Sequence, residues 1–286
     1  MAVPTVRRRR LGAELRKIRE DRGLSLDEVG QADGLGITTT KLSRLETARS
    51  AAKMDDVVKL LDFYQYDNGS REALLALVKD GSKRGWWLPY GDILGPVYAD
   101  LISLESEASK ILTYEPLIIP GLAQTAAYAR AAIKATRIRE AGPTVEEKIT
   151  VRMARQSVLT RPGGPQFWLV IHEGALTVRI GDDGSVMREQ MQRLLDLSKL
   201  PNVDIQVMPA DAAPHPGILG SFTILGFPER SDLDVVHTER LLSSVYIEDP
   251  SEVEQYGVAF QRITAEALPQ EASLRFITQQ RDKISE

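Results

Sequence analysis

The residues best placed to do chemistry lie between positions 37 and 49, in ITTTKLSRLETAR. Thr38, Thr39 and Thr40 put three hydroxyls in a row, Ser43 adds a fourth, and Lys41, Arg44 and Arg49 supply positive charge. Short hydroxyl side chains let a helix approach a base edge closely, while an arginine fork can take guanine bidentately or hold a phosphate. At about 100° per residue from Thr38, Leu42 falls near 40° and Leu45 near 340°, so the apolar side centres on Thr38 itself. Thr40, Ser43, Arg44 and Thr47 then share the opposite face, flanked by Thr39 and Lys41. The three threonines also sit at the helix start, where free backbone donors favour phosphate. That chemistry is nucleic-acid reading, but any solvated helix has a polar face, so the neighbouring elements have to decide.

Upstream, Arg7, Arg8, Arg9 and Arg10 run into LGAELRKIREDRG, where Leu11, Leu15 and Ile18 recur at helical spacing and Gly23 supplies a stop. The arginine run reads either as a flexible arm tracking phosphates or as a solvated tail. Ser25 and Glu28 form a capping box that starts a second helix at Leu26. The two glycines of DGLGI turn the chain, and Thr38 can cap the third helix. MDDVVKLLDFY and SREALLALVKD give a fourth and a fifth, the last opening on a serine and running out at Gly81. Capped helix, glycine turn and leucine-anchored helix, behind a basic first helix, is the order of a helix-turn-helix unit. Such short helices in so short a stretch predict one all-α domain.

A chain of 286 residues has room for a second domain with its own core. With 43% apolar and 27% charged residues, neither wholesale disorder nor a fibrous repeat is expected. The absence of cysteine excludes disulfides, thiol catalysis and Cys-ligated zinc. Residues 1–50 hold 11 Lys and Arg against 7 Asp and Glu, net +4, while the whole chain is −4, so the remainder carries −8. A basic head on an acidic body points to an electrostatic partner for the head alone. No apolar run approaches the ~18 residues of a spanning helix and no signal core opens the chain, so a soluble, cytoplasmic protein is expected.

The divisions read from composition are 1–82 for the helical domain, 83–98 for a junction and 99–280 for a larger α+β domain. In the last, a helix is expected around 97–112, further helices in TAAYARAAIKA, TVEEKITVRMARQSVL, VMREQMQRLLDLSKL and SEVEQYGVAFQRITAEAL, and strands in QFWLVI, VDIQVMP, SFTILGF, DLDVVHT and SSVYIE. Catalysis finds little support. His172, His215 and His237 are scattered, Asp182 and Asp183 sit in a GDDGS turn, and no nucleophile elbow or phosphate loop occurs. The chain is expected not to be an enzyme and to need neither cofactor nor metal. Trp86, Trp87, Tyr90 and Tyr98 cluster where the domains meet, and His215 lies in the long PADAAPHPGILG loop. These residues either contact a partner or ligand or, for the aromatics, seal the junction. Arg152 and Arg155 read as partners for glutamates rather than as an anion site.

LRKIREDRGLSLDEVG and ITTTKLSRLETAR together resemble the five-helix domain of the Xre/Cro repressor-like family over residues 9 to 80. The resemblance implies that the helix after the turn enters the major groove with Thr39, Thr40, Lys41, Ser43 and Arg44, and that Glu46 is structural, bonding back to helix one. This chain departs from the family in a turn two residues longer, in Leu26 where glutamine is common, and in Ala48 where glycine is common. YEPLIIPGLAQTAAYAR, VRMARQSVL, VDIQVMPADAAPHPGILGSFTIL and VYIEDPSEVEQY are similar to the uncharacterised C-terminal domain of WhiJ-like actinobacterial regulators. That similarity implies a small BldB-like acidic protein as a partner. A DNA-binding transcriptional regulator controlled through its C-terminal domain by a small protein or ligand is expected, and, because one head with few base contacts binds weakly, a homodimer that engages two half-sites. An antitoxin-like or adaptor protein, binding a small acidic partner and using DNA binding for autoregulation, is the alternative.

Overall fold

The computed structural model describes residues 6–66, 71–79, 96–136, 144–181, 184–227, 234–241 and 243–284. Five helices open the chain: α1 Val6–Asp21, α2 Leu26–Gly30, α3 Thr39–Glu46, α4 Met54–Phe63 and α5 Arg71–Lys79. The apolar positions that recur at helical spacing are the ones buried. Leu11, Leu15 and Ile18 of α1 meet Val29, Leu42, Leu45, Val57, Leu60, Leu61 and Leu74 in one core. Each leucine withdrawn from water there contributes about 2 kcal/mol, and with α2 and α3 so short it is this packing that holds them helical.

The second domain is built on a six-stranded sheet, β3–β2–β1–β4–β5–β6 in spatial order. Its strands are β1 Lys110–Glu115, β2 Gln166–His172, β3 Val203–Met208, β4 Phe222–Gly226, β5 Val235–Glu239 and β6 Ser244–Ile247. β1, β2 and β3 are parallel, and β4, β5 and β6 continue the sheet antiparallel. Helices α7 Ala126–Thr136 and α8 Val145–Arg155 connect β1 to β2; α9 Glu173–Thr177 and α10 Gly184–Leu197 connect β2 to β3. α11 Pro250–Glu266 covers one face through Val253, Phe260 and Ile263, against Val170, Ile224 and Val236. The other face, with Ile111, Leu169, Ile205 and Leu225, packs on α6 Pro96–Glu105, α10 and α12 Gln270–Lys283. Burial on both faces explains why the interior strand β2 reads as a nearly continuous apolar run, while the edge strand β3 alternates.

The five strands expected from sequence are all present. The helix expected to run to residue 112 stops at Glu105, and residues 110–115 are β1 instead. The reason lies in the pattern ILTYE, whose Ile111 faces one core while Leu112 and Tyr114 face the other, an alternation only a strand can satisfy. α12, which the sequence reading did not place, is pinned by Ser273. Its hydroxyl accepts from Val207 N at 2.9 Å and donates to a backbone carbonyl of the turn before the helix.

Candidate nucleic-acid interface

α2 and α3 are capped as their sequences require. Ser25 Oγ accepts from Glu28 N at 3.1 Å while Ser25 N donates to Glu28 Oε2 at 2.7 Å. Thr38 Oγ1 accepts from Lys41 N at 3.2 Å, so this hydroxyl is committed first to the cap. Between the helices Gly34 and Gly36 adopt φ of 79° and 67°, the left-handed region that glycine enters without penalty. The turn thus closes on its two glycines.

Two glycines that sequence reasoning passed over set the position of α3. A Cβ on Gly30 would lie 2.3 Å from Thr39 Oγ1 and 2.4 Å from Thr39 N, so the end of α2 touches the start of α3. A Cβ on Gly12 would lie 2.6 Å from the carbonyl oxygens of Leu45 and Glu46, so α1 touches the other end. Glycine inside a helical pattern was the available signal, since it marks close backbone approach. Glu46 is the third anchor. Its carboxylate accepts from Arg19 Nε at 2.7 Å and Nη2 at 2.8 Å, a bidentate pair in which both residues are buried. Those hydrogen bonds raise Arg19 further above its already high pKa. Ala48, just past the end of α3, adopts a positive φ of 56°.

With Leu42, Leu45 and Glu46 buried, the outward face of α3 carries Thr40, Ser43 and Arg44, with Thr47 and Arg49 just beyond. Thr40 and Arg44 are exposed, and Arg44 forms no ion pair among the described residues. Thr47 Oγ1 donates to Ser43 O at 2.6 Å. Two of the expected readers do other work. Thr39 packs against Gly30, and Lys41 Nζ lies 2.6 Å from the buried Asp56 Oδ1 of α4, so its charge is already paired.

The arginine run is neither a flexible arm nor a tail. Helix α1 begins at Val6, and Arg7 and Arg10 are only 7% and 6% exposed. Arg7 pairs with Glu107, Arg9 Nη2 lies 2.8 Å from Glu248 Oε1, and the Arg10 guanidinium sits 5.4 Å from the centre of the Phe227 ring. Val6 N donates to Asp100 Oδ2 at 3.4 Å. The acidic body competes for these arginines, and only Arg8 of the four is exposed.

Elsewhere, His215 Nδ1 accepts from Gly217 N at 3.2 Å and the ring stands edge-on to Tyr114, beneath a tip on which Ile218 and Leu219 are exposed. His172 Nδ1 accepts from Gly174 N at 2.9 Å and caps α9. Arg155 Nε lies 3.0 Å from Glu105 Oε2, as a glutamate pairing requires, while Arg152 donates to Gln124 instead, at 2.8 Å. Trp86, Trp87, Tyr90, Asp182 and Asp183 lie outside the described residues. Among those described, no cluster of three or more acidic, histidine or cysteine residues could hold a metal ion, and no helix is long and apolar enough to cross a membrane.

Residues 10–74 match a family described as a helix-turn-helix domain, the segment that runs from within α1 through α4 and includes the anchored α3. No curated protein and no solved structure matches the chain. Residues 98–279, more than half of the chain, match the domain of unknown function DUF5753, and the protein belongs to that family, carrying a helix-turn-helix DNA-binding domain at its N-terminal side.

Proposed function

We propose that the protein is a sequence-specific transcriptional regulator of the Xre-like, WhiJ type, that it acts as a dimer and not as an enzyme, and that its C-terminal domain receives the controlling signal. The observation that carries this reading is α3 itself, a helix fixed at both ends whose outward face is reduced to short hydroxyls and one uncommitted arginine. A helix of eight residues spans about 12 Å, enough for one major-groove half-site. So few base contacts give weak binding to one half-site, and a dimer gains by engaging two, centred about 34–36 Å apart.

Recovery of genomic DNA fragments on the purified full chain, followed by gel shift on the enriched sequence, tests the reading. Enrichment of a sequence with two related half-sites is expected. Recovery of random fragments only would refute sequence-specific regulation. If a small acidic protein encoded beside the chain is captured while operator affinity stays unchanged, the antitoxin-like reading replaces control through the C-terminal domain.

A further inference from the structure

One face of the sheet changes character along its strands. Ile111, Phe167, Leu225 and Val235 make it apolar where it meets the main core. One row further on, Thr113, Thr223, His237 and Tyr246 stand side by side, each the register partner of the next. The row beyond brings Glu115 at the end of β1 and Glu239 opposite Ser244. Polar groups on an inward sheet face cost free energy unless something meets them. Thr113 and Thr223 meet each other at 3.1 Å, and His237 lies against Tyr246 with ring centres 5.0 Å apart. Glu115 accepts no hydrogen bond among the described residues.

Through Thr113, Thr223, His237, Glu115 and Glu239 these rows open onto a cavity of about 750 Å³ instead of the core. Its size is that of pockets that enclose a small organic molecule, roughly 300–1,000 Å³. Leu101 of α6, Ile118, Leu122 and Ile133 give it apolar walls. The wall segment is held in place before any ligand arrives. Gln190 accepts from Thr125 N and donates to Ala123 O, each at 2.7 Å, and Gln156 Nε2 donates to Gly121 O and Gln124 O at 2.9 and 2.8 Å.

The charges in the cavity are unequally served. Arg155 is engaged by Glu105 and by Tyr98 Oη, to which it donates at 3.0 Å, and Arg152 by Gln124. At the mouth Glu239 and Arg240 are neighbours and both exposed, so the rim is balanced. The half-buried Glu115 carboxyl has no ion-pair or hydrogen-bond partner among the described residues. Partial burial, with Glu239 adding to it, pushes that carboxyl up to about 8.

We propose that this cavity binds a small organic cation, an amine whose protonated nitrogen pairs with Glu115 while its apolar body lies between Leu101, Ile118 and Leu122. The same walls continue into the hold on α1. α6 lines the cavity with Leu101 and Glu105 and accepts Val6 N on Asp100, with Glu107 just past its end paired to Arg7. β6 places Tyr246 beside His237, and two residues on Glu248 holds Arg9. A molecule that shifts α6 or β6 therefore shifts α1, which carries α3 through Gly12 and Arg19. This consequence rests on the regulatory reading above; the site itself does not.

Isothermal titration of the full chain without DNA, using tryptamine with tryptophol and indole-3-acetate as its neutral and anionic counterparts, tests the site. Tryptamine is expected to bind at least about tenfold more tightly than either counterpart, a preference that Glu115→Gln removes, and Leu101→Trp should fill the cavity and abolish binding. The site is refuted if the anion binds as well as the amine, if Glu115→Gln keeps the preference, or if neither tryptamine nor a panel of alkyl and aryl amines binds at millimolar concentration. A gel shift with and without tryptamine then tests the coupling. A change in DNA affinity of about fivefold or more is expected, and unchanged affinity with the amine bound overturns transmission through α6. Absence of DNA binding in the amine-free control would sink the regulatory reading while leaving the titration result standing.

Discussion

Arg19 grips Glu46 with two parallel hydrogen bonds, 2.7 and 2.8 Å long, and thereby ties the last residue of α3 to the last turn of α1. Both side chains are out of water, so removing one partner leaves the other as a buried, unmatched charge. Arg19→Ala or Glu46→Ala should each cost about 3–5 kcal/mol in urea unfolding of the helical domain, and replacing both by apolar residues of similar volume should cost much less. Similar losses for single and double variants would show that the pair is not the anchor.

Gly30→Ala tests the contact between α2 and α3. The new methyl would fall on the backbone of Thr39, which cannot swing aside as a flexible side chain would. A loss of about 1–3 kcal/mol is expected from the forced separation, together with weaker DNA binding because α3 is displaced. Retained stability and retained affinity would contradict the close packing.

Arg44 separates base reading from phosphate holding. If it reads a base, Arg44→Ala costs about 1–3 kcal/mol on the enriched operator and little on random DNA, measured by competitive gel shift. Equal losses on both would make Arg44 a backbone contact. Lys41→Ala should behave differently, lowering stability as well, because it strands the buried Asp56.

Glu115 and His237 impose opposite pH dependences. The folded-state pKa of Glu115, about 8, lies above the usual carboxyl value, so its folded form favours the proton and stability is lost as pH rises from about 4.5 towards 8. His237 is pushed down to about 4 by burial, with Arg155 adding to it, so its contribution is present above about 6.5 and lost as pH falls towards 4. Glu115→Gln should therefore stabilise the chain at pH 8 and change little at pH 4, and His237→Gln should flatten the acid limb. Thermal melts across that range decide both.

The helical domain was readable because its signals are local. Ser25 with Glu28, Thr38 with Lys41 N and the spacing of Leu42 and Leu45 each act within a turn or two of helix. Even the role of Glu46 followed from resemblance to one family. What stayed hidden depends on distance along the chain. No sequence pattern announces that Asp56 will claim Lys41, that Glu107 and Glu248 will claim Arg7 and Arg9, or that β1 will sit between β2 and β4. The cavity was hidden for the same reason. Its polar rows are assembled from single residues of four strands, each unremarkable in its own segment.

The hold of Arg7 on Glu107 and of Arg9 on Glu248 changes how a salt titration of this protein is to be understood. Raising ionic strength releases counterions from DNA and, at the same time, screens the ion pairs that fasten the head to the body. The steepness of log affinity against log salt then counts phosphates and loosened joints together. In the Arg7→Ala/Arg9→Ala double variant these two joints are gone, so its slope lies nearer the number of phosphates met by the head.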